Sequence, residues 1–201
     1  MSKEGYTSQD DIVISTYNGE AAVLLAVREH GGEQQILLTR RSKRMNSHSG
    51  EVALPGGKWE PSDQNLRATA LREAEEEVGL SPQIVTDIKP MAARFTRQGT
   101  KVTPFFGRVP PILSLQPCEY ELESLFWLPL DIVLNDERVQ TDIFTVDRLE
   151  YWAPVYRYNG YKIWGFTARL LVDLANRFFC SGASSKIVRQ SLAYAKPEVI
   201  F

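Results

Sequence analysis

A helix with an unusual charge distribution is the strongest constraint that this sequence offers. Residues 65–78 are good helix formers, and Gly79 stands where a helix C-cap belongs. At about 100° per residue, Glu73, Glu76 and Glu77 fall on one face of the helix. These carboxylates repel one another, and they crowd the end at which the helix dipole favours cations. We therefore expect a positive charge to lie against this face.

The acidic face admits two interpretations. A glutamate-rich helix face is usually just solvated, and the run taken alone favours that interpretation. The Pro55-Gly56-Gly57 turn ahead of the helix favours a metal site instead. A glycine turn can present a bare carbonyl at short range, and Mg²⁺ and Mn²⁺ prefer carboxylate and carbonyl oxygens. The sequence thus indicates a hard divalent cation between the turn and the helix.

The composition is that of a soluble globular protein. Of the 201 residues, 43% are hydrophobic and 24% are charged, which excludes a disordered, collagen-like or disulfide-rich chain. The length favours one domain over residues 1–201, with a core at about 11–180 and with 1–10 and 181–201 extended or loosely packed. A formal net charge of −2 leaves no basic surplus for binding nucleic acid or an anionic membrane. With no secretory signal and no apolar run of about 20 residues, we expect a cytoplasmic protein.

The order of the expected elements indicates a mixed α/β (α+β) fold. Two β-prone runs, at 21–28 and 34–41, flank His30-Gly31-Gly32-Glu33 and predict a hairpin. Pro55-Gly56-Gly57 predicts a hard break, and apolar spacing predicts a second long helix at 167–179. Many strands with two or three helices predict a mixed β-sheet packed between helices. The remaining expected elements are a short apolar piece at 52–54, a short helix after Pro129 and strands at 83–88, 91–95, 102–109, 141–147, 150–157 and 161–164.

The acidic helix and the turn before it resemble the Nudix box, G-x5-E-x7-R-E-U-x-E-E-x-G-U, where U is a bulky or apolar residue. Asp63 replaces the first glutamate of the box, and one extra residue separates it from Arg72. The resemblance implies a Nudix fold and a bound Mg²⁺ or Mn²⁺. It implies as metal ligands the side chains of Glu73, Glu76 and Glu77 and the carbonyl of Gly57, and it implies that Arg72 holds the glutamates in position through its own ion pair. The matching residues are Gly57, Asp63, Arg72-Glu73-Ala74, Glu76-Glu77 and Gly79-Leu80.

A basic loop precedes the acidic helix. Four cations within five residues, beside an expected metal site, suit a substrate with several phosphates. The surrounding residues resemble the signature of the coenzyme A diphosphatase branch of the Nudix family, with Asn46 and Leu54 where that branch commonly has Arg and Phe. The resemblance implies CoA or an acyl-CoA as the substrate and Arg40, Arg41, Arg44 and His48 as its binding residues. The matching run comprises Leu37-Leu38-Thr39-Arg40-Arg41-Ser42, His48, Gly50 and Leu54-Pro55-Gly56-Gly57.

The reaction that this resemblance implies is hydrolysis of CoA or acyl-CoA to 3′,5′-ADP and 4′-phosphopantetheine or its acyl form. The three box glutamates and Arg72 would be catalytic, and the proton acceptor is either a box glutamate or a distal loop acid such as Glu119 or Glu121. An alternative substrate is ADP-ribose or a dinucleotide. A third interpretation is a ligand-binding module without turnover, although such modules typically lose box glutamates that this chain keeps. A monomer and a homodimer are both open.

Overall fold

The structure, a computed structural model, describes residues 18–44, 49–146 and 149–179. His48 and the ends expected to be loose, at 1–10 and 181–201, lie outside the described residues. No helix in the described ranges combines the length and the apolar character needed to cross a bilayer.

An eight-stranded mixed sheet forms the centre of the fold. The order along the sheet is β3-β2-β1-β7-β5, with β4 paired to β1, β6 to β7 and β8 to β2. Strands β1 and β7 run parallel, and the other pairs run antiparallel. The strands are β1 (Glu20–His30), β2 (Glu33–Arg41), β3 (Val52–Ala53), β4 (Gly56–Lys58), β5 (Thr86–Pro90), β6 (Arg94–Phe95), β7 (Lys101–Arg108) and β8 (Leu122–Pro129).

Two long helices cover opposite faces of this sheet, as the sequence predicts. Helix α1 (Leu66–Val78) packs on one face, α3 (Gly165–Phe178) packs on the other, and the single turn of α2 (Asp131–Leu134) contacts α3. Successive residues of a strand point to opposite faces of a sheet, so β1 contributes to both cores. The core on the α1 side contains Ala22, Leu24 and Ala26, and the core on the α3 side contains Leu25 and Val27.

A separate three-stranded antiparallel sheet precedes α3. Its strands are β9 (Gln140–Val146), β10 (Leu149–Tyr158) and β11 (Tyr161–Ile163), in the order β11-β10-β9. The turn between β10 and β11 is Asn159-Gly160, and both residues have positive φ, 46° and 83°. These two residue types adopt that conformation readily, which explains the tight hairpin.

The hairpin of β1 and β2 and the helix before Gly79 confirm the sequence prediction, whereas three other segments differ from it. The expected break at Pro55-Gly56-Gly57 contains the start of β4, whose Gly57 lies opposite Ala22 of β1. The expected strand at 83–88 begins instead as a 3₁₀ turn over Pro82–Ile84. The expected strand at 91–95 shrinks to β6. The first difference depends on pairing with the distant strand β1 and the second on Pro82, and apolar periodicity reports neither.

Candidate active site

Helix α1 carries its charges in the arrangement that the sequence predicts. The Asn65 side-chain oxygen accepts a hydrogen bond from the Ala68 N–H at 3.0 Å and caps the first turn. At the other end Gly79 has a φ of 69°, and its N–H donates to the Glu75 carbonyl at 2.9 Å. The first turn has no acidic residue and the last turn has no basic one. The acidic end of α1 therefore depends on cations from outside its last turn.

Arg72 is the first such cation, and Asp63 fixes its position. The Arg72 Nε and Nη2 groups donate to the two Asp63 oxygens at 2.9 and 3.0 Å, which is a bidentate pair. Asp63 is buried, with 4% of its side chain exposed. Its Oδ2 also accepts from the Glu60 N–H at 3.1 Å and from the Thr69 hydroxyl at 2.9 Å. The hydrogen bonds from Arg72 lower the pKa of Asp63 to about 2, since they stabilise the charged carboxylate.

The remaining face of the Arg72 guanidinium contacts two glutamates. Its Nη1 lies 3.1 Å from Glu73 Oε1 and 2.9 Å from Glu76 Oε2. Glu76 remains 59% exposed, whereas Glu73 is 17% exposed and lies against Gly57. A Cβ added at Gly57 would overlap the Glu73 carboxylate, so that side chain would have to move away. Burial raises the pKa of Glu73, Arg72 opposes that shift, and the charges of Glu76 and Glu121 add to it.

Glu77 is the most deeply buried glutamate of the acidic face. Only 7% of its side chain is exposed, and its Oε2 accepts from the Gly56 N–H at 3.2 Å. Burial raises the pKa of Glu77 to about 7; the Gly56 hydrogen bond opposes this shift, and the negative charge of Glu73 adds to it. The two glycines of β4 thus contact the half-buried Glu73 and the buried Glu77 of α1.

The chain leading into β8 brings a further carboxylate to this end of α1. The N–H groups of Gln116 and Cys118 donate to the carbonyls of Val78 and Glu77 at 2.9 and 2.8 Å, and so satisfy the end of the helix. Three residues later Glu121 lies close enough to raise the pKa of both Glu73 and Glu77. Of the two distal acids that the sequence offers, the structure therefore brings Glu121 into electrostatic contact with the site.

A bulge at the end of β2 separates its two arginines. Arg40 lies opposite Ser124 and Arg41 lies opposite Leu122, so Glu123 of β8 is the extra residue. Arg40 Nε lies 3.4 Å from a Glu123 carboxylate oxygen. Arg41 faces the other way, and its Nη1 lies 4.0 Å from Glu77 Oε1. Arg41 is therefore the second cation at the acidic end of α1.

The three arginines expected to bind substrate are thus not gathered at one point. Arg41 contacts the site, Arg40 contacts Glu123, and Arg44 is exposed in the loop after β2, where its N–H donates to the Ser42 hydroxyl at 3.3 Å. His48 lies outside the described residues. The expectation that positive charge lies against the acidic helix face is met by Arg72 and Arg41.

The donor set at this site fits a hard divalent cation, although its side chains are not gathered around one point. No group of three or more His, Cys, Asp or Glu side chains in the described ranges is arranged to hold a metal ion. Glu73 and Glu77 nevertheless lie one turn apart on α1; the charge of Glu73 raises the pKa of Glu77, and the charge of Glu121 raises the pKa of both. A cation there would relieve that repulsion, and carboxylate oxygens are the ligands that Mg²⁺ and Mn²⁺ prefer.

Two features of the site are not evident from residue patterns. The bidentate bond from Arg72 to Asp63 spans nine residues, and the only signal for it is an acid in the loop before the helix. The hydrogen bond from the Gly56 N–H to Glu77 depends on the pairing of β4 with β1, because that pairing orients the N–H towards the helix.

Comparison with known proteins gives one consistent result. The family model described as NUDIX domain matches residues 18–148. The protein named "Uncharacterized Nudix hydrolase NudL" from Yersinia pestis (strain Pestoides F) is 36% identical over 163 residues, which is 81% of each chain, and its counterpart from Yersinia pseudotuberculosis serotype O:1b (strain IP 31758) gives the same values. The crystal structure of a MutT/nudix family protein from Enterococcus faecalis has a TM-score of 0.58 and 13% identity, and the match covers 92% of this chain and 71% of that one. This last likeness concerns the fold alone.

Proposed function

The chain belongs to the Nudix hydrolase family, and we propose that it hydrolyses the diphosphate bond of coenzyme A or an acyl-CoA in a reaction that depends on Mg²⁺ or Mn²⁺. The products are 3′,5′-ADP and 4′-phosphopantetheine or its acyl form. Water attacks one phosphorus atom, the bond from that phosphorus to the bridging oxygen breaks, and the leaving phosphate takes up the electron pair.

The observation that carries this proposal is the contact between the two glycines of β4 and the two least exposed glutamates of α1, Glu73 and Glu77. Glu73 lies against Gly57, and Glu77 binds the Gly56 N–H. These contacts support Glu73, Glu77 and the Gly57 carbonyl as metal ligands, with the more exposed Glu76 as a further one. A divalent ion held by these residues would neutralise charge on the diphosphate oxygens and would make a bound water more acidic.

The protein's own groups have distinct roles in the proposed reaction. Arg72 keeps Glu73 and Glu76 oriented and is itself held by Asp63. Glu121, which is close enough to affect the titration of Glu73 and Glu77, can accept the proton of the attacking water, as can a box glutamate.

The substrate assignment comes from the end of β2 and the loop that follows it. The motif that resembles the CoA diphosphatase branch starts in β2, and that strand delivers Arg41 to the site. Guanidinium groups bind phosphate through paired hydrogen bonds. We assign Arg41 to the diphosphate and assign Arg40, Arg44 and His48 to the outlying phosphate of CoA.

Product analysis tests the proposed function. Purified protein is incubated with Mg²⁺ and, separately, with CoA, ADP-ribose and a diadenosine polyphosphate, and the products are separated by chromatography. We expect 3′,5′-ADP from CoA as the fastest reaction. A faster release of AMP from ADP-ribose would assign the other substrate class, and no hydrolysis of any of the three would favour a binding module.

A matched pair of variants connects any activity to the site. Glu77→Gln removes the buried charge, while Glu75→Gln removes an exposed charge from the same helix. We expect hydrolysis to be lost in the first variant and retained in the second.

A further inference from the structure

Arg41 and Glu77 lie at the limit of ion-pair distance and share no hydrogen bond. The distance of 4.0 Å between Arg41 Nη1 and Glu77 Oε1 is too long for a hydrogen bond. The Nε of Arg41 is buried, and it has no hydrogen-bond partner among the described residues. A buried N–H without an acceptor is unfavourable, so this geometry leaves donor capacity unused.

The same site contains a fully hydrogen-bonded ion pair for comparison. Arg72 and Asp63 meet at 2.9 and 3.0 Å through two parallel hydrogen bonds, and Asp63 takes two more hydrogen bonds from its surroundings. Arg41 has no such arrangement with Glu77, whose other oxygen is already bound by the Gly56 N–H. The guanidinium of Arg41 is thus near enough to neutralise Glu77 but is not locked onto it.

A divalent cation bound to a carboxylate weakens the attraction of that carboxylate for a guanidinium group that makes no hydrogen bond to it. Two cations about 4–5 Å apart on one buried carboxylate repel each other strongly, because the local dielectric constant is far below that of water. Arg41 and a divalent ion therefore compete for Glu77. The bulge between β2 and β8 aims Arg41 at this carboxylate, whereas Arg40 already has Glu123 as its partner.

We propose that Arg41 is an exchangeable counter-ion of Glu77: it neutralises Glu77 before a divalent cation is bound, leaves Glu77 when the cation binds, and then donates its free N–H groups to a phosphate oxygen of the substrate. This inference rests on the proposed function, since it takes Glu77 as a metal ligand. Arg41 thereby couples substrate binding to the presence of the cation, because its charge is no longer directed at Glu77 once the cation neutralises that carboxylate.

The first test is a Mn²⁺ titration of the full-length protein without substrate, followed by electron paramagnetic resonance. Arg41→Met keeps an apolar stem and removes the charge. We expect it to bind Mn²⁺ at least about fivefold more tightly than the wild type, since the competing cation is gone. The control Arg67→Met removes an exposed charge from the first turn of α1, and we expect its Mn²⁺ affinity to match the wild type.

The second test uses methylenediphosphonate, a diphosphate analogue whose P–C–P bridge water cannot cleave, with Mn²⁺-saturated protein. We expect Arg41→Met to bind this probe about tenfold more weakly, because a charge-assisted phosphate contact is lost. The two effects have opposite signs. A merely structural role for Arg41 would weaken the binding of both Mn²⁺ and the probe.

Two further variants guard against misfolding of Arg41→Met. Arg41→Gln keeps hydrogen-bonding groups without charge and must tighten Mn²⁺ binding, whereas Arg41→Lys keeps the charge and must not. Unchanged or weaker Mn²⁺ binding in a folded, uncharged variant overturns the inference about Arg41 and leaves the proposed function standing. A wild-type protein that binds no Mn²⁺ overturns the proposed metal dependence, and the inference with it.

Discussion

The guanidinium of Arg72 meets the carboxylate of Asp63 through two parallel hydrogen bonds of 2.9 and 3.0 Å, although nine positions separate them in the sequence. This pair ties the loop before α1 to the middle of the helix. Through its remaining nitrogen, Arg72 also reaches Glu73 and Glu76. Asp63 therefore sets the orientation of side chains that it does not touch.

Replacing Asp63 by Asn tests that relationship. Asp63→Asn keeps the shape but loses the charge and one of the two acceptors for Arg72. We expect a loss of about 2–3 kcal/mol in the free energy of unfolding and at least a tenfold loss in kcat, because Glu73 is no longer held in place. Urea unfolding and steady-state kinetics measure the two effects. A variant as stable and as active as the wild type would refute the positioning role.

The stability contribution of Asp63 also depends on pH. Its pKa in the folded protein, about 2, lies below the ordinary value of 3.8. A carboxyl group whose pKa is lowered on folding stabilises the folded state at pH values above its ordinary pKa. That stabilisation is lost as the pH falls from about 4 towards 2. We expect the wild type to lose more unfolding free energy than Asp63→Asn between pH 5 and pH 2.5, as urea titrations can measure. Parallel pH profiles for the two proteins would contradict this account.

Glu77 gives the opposite dependence on pH. Burial raises its pKa from 4.5 to about 7, so the metal-free fold loses stability as the pH rises through 7. We expect the free energy of unfolding of metal-free Glu77→Gln to exceed that of the wild type by about 1–3 kcal/mol at pH 8. The difference is expected to vanish below about pH 4.5. Unfolding measured in EDTA checks this. If Glu77→Gln were less stable than the wild type at pH 8, Glu77 would not be the strained group that its burial indicates.

Gly57 tests the packing between β4 and α1. The methyl group introduced by Gly57→Ala would overlap the Glu73 carboxylate and push it away from the turn. We expect at least a tenfold loss of kcat together with weaker Mn²⁺ binding, because displacement of a catalytic group by about 1 Å is costly. Wild-type kinetics in this variant would mean that the contact has no role in the reaction.

Local patterns in the sequence predict part of this architecture. The β1–β2 hairpin and α1 follow from apolar runs, a glycine turn and a helix-ending glycine, all of which act within a few residues. Strand β4 has no such pattern, since two of its three residues are glycines and its partner β1 lies more than thirty positions away. Its backbone pairing forms only in the folded sheet.

Residue patterns likewise predict only part of the candidate site. The spacing of Glu73, Glu76 and Glu77 places them on one helix face, but their different burial depends on what packs there: Gly57 on Glu73, Gly56 and Arg41 on Glu77, and solvent on Glu76. Glu121 reaches the same end of α1 because β8 pairs with β2. Residue spacing carries no information on a pairing over that distance.

The binding of a divalent ion between β4 and α1 is the claim on which the proposed chemistry depends. Anomalous diffraction from a crystal grown with Mn²⁺ tests it most directly. We predict a strong anomalous peak within coordination distance of Glu73, Glu77 and the Gly57 carbonyl. A well-ordered crystal with no such peak, and with Arg41 still beside Glu77, would contradict the account.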